Sequence, residues 1–123
     1  MNVQTLIEQY IAAWNETNAI QRQELIQRSF SPDAHYVDPL MQGQGRTGID
    51  QMISGLQQKY PGFQFTLLGT VDAHQDRARF RWGMGPAGQE VVVEGTDFVV
   101  LTPDGLLQSV TGFLDRVPAQ VAS

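Results

Sequence analysis

Three residues combine a reactive side chain with a position that could bring it to a ligand: Asp97, Asp38 and Tyr10. Asp97 has the strand parity of Val91, Val93 and Val99, so alternation turns its carboxylate into an apolar face. An unpaired carboxylate there escapes its desolvation cost by holding a proton, and a neutral acid can donate a hydrogen bond to a ligand oxygen. The plainer reading is a structural Asp bonded to a neighbouring hydroxyl. Asp38 ends the run AHYVD, where Pro39 enforces extended backbone and the polar loop MQGQGRTG follows. A carboxylate placed there can meet a ligand as a general base, or can simply form a turn. Tyr10 lies within a helical apolar stripe, and a buried phenol seeks a partner for its hydroxyl.

Other patterns carry less. Residues 43 to 48 read GQGRTG, a literal GxGxxG, but the rest of the chain lacks the repeated βαβ units of a dinucleotide fold. The glycines fit a tight loop better. His35 and Asp38 are three apart on a strand and point to opposite faces, and His74 stands alone in a turn, so no metal site is expected. No GxSxG elbow is present. Arg77, Arg79 and Arg81 form a basic row that Glu90 and Glu94 on the next strand would neutralise. Asn15-Glu16-Thr17 is a formal glycosylation sequon without a secretory signal to use it.

The elements that must position these groups follow from periodicity. Val3, Leu6, Ile7, Tyr10, Ile11 and Trp14 form a complete amphipathic stripe, predicting a helix from Asn2 to Glu16. Asn18 can cap a second helix over 19–30, stopped by Ser31-Pro32. A short strand over 34–38 follows, then a third helix with Ile49, Met52, Ile53, Leu56 and Tyr60 on its buried side and a capping box from Thr47 and Asp50. From Gly62 onward, turn signals separate four antiparallel strands, near 63–73, 76–84, 89–101 and 106–115. A tight GPAG turn would set Trp82 opposite Val91, Phe80 opposite Val93 and Arg79 opposite Glu94. Helices first and strands after mark an α+β domain with helices on one face of a sheet.

Composition closes several routes. The 123 residues carry 13 acidic and 8 basic side chains, a net charge of −5, and no cysteine. Thiolate chemistry, disulfides and zinc knuckles are therefore excluded, and nucleic acid or an anionic membrane is not an expected partner. With no long apolar run and no signal peptide, a cytoplasmic protein forming one domain over 1–123 is expected.

The order of elements, YxxxWN near the start, HYVDP, GTDFVVLTPDGLL and VTGFLD together resemble the SnoaL-like branch of the nuclear transport factor 2 superfamily over essentially the whole chain. That resemblance implies a cone-shaped α+β barrel: three N-terminal helices packed on a curved, mainly antiparallel sheet around one apolar pocket. It also implies a homodimer formed through the outer sheet face. Within the superfamily, three positions are similar to bacterial ketosteroid isomerases. Tyr10 matches their oxyanion tyrosine, Asp38 their proton-shuttling base and Asp97 their protonated oxyanion-hole acid. This chain has no tyrosine near Leu56 to back Tyr10, and Phe30 stands where some members carry another tyrosine.

The resulting expectation is a cofactor-independent enzyme acting on a small hydrophobic ketone, by isomerase-like proton transfer or polyketide cyclase-like chemistry. Asp38 would be the base, with Tyr10 and neutral Asp97 as donors. Trp14, Phe30, Met52, Leu56, Phe80, Trp82 and Leu114 would line the pocket, with Trp14 and Trp82 narrowing it. The alternative is a noncatalytic dimeric domain that binds a small hydrophobic ligand.

Overall fold

A computed structural model describes residues 2–118. Helix α1 spans Val3–Asn15, α2 Ala19–Ser29 and α3 Gly45–Lys59; the strands are β1 Phe30–Val37, β2 Gln42–Gln44, β3 Phe63–His74, β4 Arg77–Pro86, β5 Val93–Leu101 and β6 Leu107–Arg116. The first two helices start where the sequence says they should. The Asn2 side chain accepts from Thr5 N–H at 2.7 Å and Asn18 from Gln21 N–H at 3.0 Å. The third starts differently: no side chain caps it, so the Thr47/Asp50 box does not form, and Asp50 instead holds Arg22 at 2.7 Å.

The strands build one six-stranded sheet in the order β2-β1-β6-β5-β4-β3. All neighbours are antiparallel except β1 and β6, so the sheet is mixed. The expected three N-terminal helices on a mainly antiparallel sheet are present, but because β2 and β3 remain its two edges the sheet is open and the cone-shaped barrel does not close. Phe30 closes α2 and opens β1, four residues ahead of the expected Ala34. Pro32, which has no N–H to donate, falls within the irregular stretch of the β1/β6 ladder between Phe30 and His35. The three-residue strand β2 was hidden in the glycine-rich loop.

The hairpin after β4 also corrects the expected register. Residues between Pro86 and Val93 form a longer loop, so Trp82 faces Gly95 instead of Val91, Phe80 faces Asp97 instead of Val93, and Arg79 faces Phe98 instead of Glu94. The slip is an even number of residues, so every side chain keeps its face. Ala78, Phe80, Trp82, Met84, Val93, Val99 and Asp97 are all buried on the helix side. On the other side Glu94 pairs with Arg81 at 2.6 Å and Arg116 at 2.7 Å, while Arg79 turns to Asp72 and Arg77 to Asp76. Glu90 is exposed in the loop and takes no part.

Among the described residues, no helix is long and apolar enough to cross a membrane.

Candidate active site

The site is built where the inward faces of α1, β1, β4, β5 and β6 meet. Tyr10 reaches it from the centre of α1, held in place because Phe30 and Phe80 pack against its ring with centroids 5.7 and 5.6 Å away. Asp97 reaches it from the middle of β5 and is 2% exposed. Its two oxygens are both occupied: Tyr10 Oη donates to Oδ2 at 2.7 Å and Trp82 Nε1 donates to Oδ1 at 2.9 Å. Trp82 achieves this by lying flat on β5. A Cβ at the facing residue, Gly95, would fall 2.2 Å from the indole, so only glycine permits the pose.

Asp38 stands just past the end of β1, half-buried. Its Oδ1 accepts from the backbone N–H groups of Leu40 at 2.8 Å and Met41 at 3.0 Å, and its Oδ2 accepts from Tyr36 Oη at 2.6 Å. Tyr36 is buried on the inward face of β1, with its ring against Trp14 at 5.4 Å.

The two acids approach one another across Gly112, the residue opposite Asp97 in the β5/β6 ladder. A Cβ on Gly112 would lie 2.9 Å from Asp97 Oδ1, 3.1 Å from Asp38 Cβ and 3.4 Å from Tyr36 Oη. The missing side chain is thus what lets two carboxylates and a phenol converge.

Burial shifts the proton affinity of Asp97 and of both tyrosines. Burial pushes the Asp97 carboxyl up to about 6, against the pull of its bonds from Tyr10 and Trp82, and the Asp38 charge adds to the rise. Burial also raises the Tyr10 phenol, helped by the Asp97 charge, and raises Tyr36, helped by Asp97 and then Asp38. Both tyrosines therefore stay protonated and act as donors.

These groups open onto an apolar cavity of about 50 Å³ whose wall includes Trp14, Leu56, Trp82 and Leu114. Phe30, Met52 and Phe80 are not on it. The two phenylalanines are wholly buried behind Tyr10, and Met52 packs on the core from the opposite end of its helical turn to Leu56. Sequence reasoning missed Tyr36, although it shares the parity of Asp38 along HYVD. It also missed Phe65, on the same alternation in β3, and the mouth residues Leu40 and Met41, which lie in a loop with no periodic signal. Among the described residues, no lysine, arginine or histidine lines the cavity and no group of three metal-ligating side chains occurs.

A family model described as a SnoaL-like domain matches residues 7–110. The chain belongs to the SnoaL-like family. A solved structure named as a "putative isomerase of the SnoaL-like family" from Agrobacterium tumefaciens str. C58 is 42% identical, covers 90% of this chain and 95% of its own, and superposes with a TM-score of 0.86. At 15% identity, a "putative SnoaL-like polyketide cyclase" from Jannaschia sp. CCS1 shares the fold over 94% of this SnoaL-like chain and 89% of its own, with a TM-score of 0.68. An NTF2-like protein of unknown function from Cytophaga hutchinsonii ATCC 33406 does so at 11% identity and a TM-score of 0.69, over 94% and 91% of the two chains. The curated proteins contain no match. The relatives fix the fold and family; the chemistry must be argued from the site.

Proposed function

We propose that this SnoaL-like protein is a cofactor-independent enzyme that moves a proton beside the carbonyl of a small hydrophobic ketone, in the manner of the ketosteroid isomerases or of a polyketide cyclase. The observation that carries the reading is the pairing of two carboxylates in unlike settings on one apolar cavity. Asp38, at the half-buried mouth and held by three donors, is suited by its position to serve as base. Asp97, buried and shifted toward neutrality, is suited to be the acid.

The donor arrangement differs from two groups aimed side by side at a ligand oxygen. Protonated on Oδ2, Asp97 can still accept from Tyr10 and Trp82 while turning its own O–H toward the cavity, so Tyr10 supports the oxyanion through Asp97. A preorganised donor of this kind contributes about 3 kcal/mol to the transition state. The isomerase and cyclase outcomes share the same first proton transfer.

The cavity size favours small substrates and keeps a second reading in play. Its roughly 50 Å³ is well below the ~150 Å³ of an apolar cavity that holds benzene, so a ligand must be small or must displace the mouth residues. A noncatalytic domain holding a small apolar ligand fits the same space. Screening cyclic ketones for exchange of their α-protons with deuterated solvent separates the readings. Exchange that Asp38→Asn abolishes supports the enzyme; binding without exchange supports the ligand-holding domain. Full exchange in Asp38→Asn sinks the assignment of the base. We also propose that two copies pair through the outer sheet face, where Phe98 and Phe113 are 38% and 55% exposed.

A further inference from the structure

The Tyr36 hydroxyl is counted above only as one of three donors to Asp38, yet it makes the shortest contact of that carboxylate. We infer that Tyr36 is a positioning residue for the base: it fixes the orientation of Asp38 and moderates its proton affinity, leaving a single acceptor direction free for a substrate proton. The inference rests on Asp38 being the base, but its geometry stands apart from that reading.

A carboxylate offers about four acceptor directions. Three of those of Asp38 are taken. Oδ1 carries the N–H groups of Leu40 and Met41, which tie it to the mouth loop, and Oδ2 carries Tyr36 Oη at 2.6 Å. The remaining lone pair on Oδ2 is on the oxygen that Tyr36 holds. Without the phenol, the backbone bonds on Oδ1 alone leave Oδ2 free to swing about the Cβ–Cγ bond.

The strand explains why Tyr36 can do this. Tyr36 lies on β1 and Asp38 one residue past its end, two positions on, so the strand's alternation carried one residue further turns the ring and the carboxylate the same way, and their 2.6 Å bond follows. Trp14 packs against the ring and Gly112 leaves room at the hydroxyl, 3.4 Å from where a Cβ would intrude. The titratable groups around Asp38 are few. They are Tyr36 from β1, Asp97 from β5 with Tyr10 behind it from α1, and Tyr60 on the cavity wall just past α3; among the described residues no basic side chain lines the cavity. A hydrogen bond to the charged form of an acid favours that form, so the phenol trades basicity for orientation.

The test reads the carboxyl directly and needs no substrate. Protein labelled with ¹³C at the aspartate carboxyls is titrated by NMR, and the Asp38 resonance is assigned by its loss in Asp38→Asn. Tyr36→Phe should raise the Asp38 midpoint by about one unit, a tenfold rise in proton affinity. Replacing Tyr36 with 3,5-difluorotyrosine, a stronger donor of nearly the same shape, should lower it. Opposite shifts from two near-isosteric changes cannot come from a merely structural role. A midpoint that moves with neither replacement, or moves the same way in both, overturns the inference. In the α-proton exchange assay, Tyr36→Phe should lower kcat about tenfold with little change in KM, as expected when orientation of the base is lost and binding is not. If the midpoints shift as stated while Asp38→Asn keeps full exchange, Tyr36 positions Asp38 but Asp38 is not the base.

Discussion

The hydroxyl of Tyr10 and the carboxylate of Asp97 lie 2.7 Å apart, bonded to each other instead of standing side by side at the cavity. This places the phenol behind the acid, where it stabilises the charged form and holds the Asp97 carboxyl below the value that burial alone would give. Tyr10→Phe should therefore move the Asp97 midpoint upward from about 6, and Trp82→Phe should do the same. Carboxyl ¹³C titration of the two variants checks both shifts. A downward movement in Tyr10→Phe would mean that a protonated Asp97 donates to the phenol instead, and a downward movement in Trp82→Phe, whose indole can only donate, would mean that its bond to Asp97 does not hold the charged form.

Much of this arrangement was legible in the chain, for a physical reason. Period two on strands is insensitive to an even slip, so Asp97 was correctly turned inward although the β4/β5 register shifted from Val91 to Gly95 opposite Trp82. What the pattern could not reveal was distance. Whether Tyr10 and Asp97 bond to a common ligand or to each other depends on a separation of a few ångströms between a helix and a strand 87 residues apart. Phe30 and Phe80 were placed on the cavity because hydrophobicity marks the core without distinguishing the layer that touches a ligand from the layer behind it. Periodicity carries no signal for the open sheet, because closure depends on whether β2 and β3 meet, and β2 is three residues in a polar loop.

Stability should record the Asp97 shift. Its folded carboxyl, at about 6, binds a proton more tightly than the unfolded chain does, near 3.8. The stabilising contribution is complete below about pH 4 and is lost as the pH rises through about 6. Relative to Asp97→Asn, which cannot titrate, the wild type should lose on the order of 3 kcal/mol across that window. Urea unfolding of both proteins from pH 4 to 7 measures the difference; a flat difference would show that the folded carboxyl titrates normally.

Arg22 is a structural cation remote from the cavity. It is 4% exposed, and its guanidinium donates to Asp50 at 2.7 Å, to Gln57 at 3.0 Å and to the Glu16 backbone carbonyl at 3.2 Å, tying α2 to α3 and to the end of α1. Arg22→Ala leaves Asp50 without its cation and should cost about 3 kcal/mol in urea unfolding, since breaking such a pair from one side strands the partner. Arg22→Lys should recover only part of this, because a point charge cannot serve three acceptors set apart in a fork.

The pairing proposed for the outer face rests on Phe98 and Phe113. They are diagonal neighbours there, because Phe98 faces Thr111 and Thr96 faces Phe113 across the β5/β6 ladder. Two exposed aromatic rings on one sheet face favour an apolar partner surface. Sedimentation equilibrium should give a dimer for the wild type and a monomer for Phe113→Glu. A monomeric wild type at micromolar concentration rules the pairing out.

Gly112 offers the sharpest test of the convergence itself. Its backbone places no special demand on glycine through a positive φ, so an alanine is tolerated by the chain but not by the space in front of it. The added methyl would sit 2.9 Å from Asp97 Oδ1 and 3.1 Å from Asp38 Cβ, pressing the two acids apart where a reacting atom would lie. Overpacking of this kind costs about 1–3 kcal/mol, small enough for the fold to survive. Gly112→Ala should therefore stay folded by circular dichroism, lose α-proton exchange at least as severely as Asp97→Asn, and change the Asp97 midpoint. If exchange persists at the wild-type rate in a folded Gly112→Ala protein, the point between Asp38 and Asp97 is not where the substrate reacts.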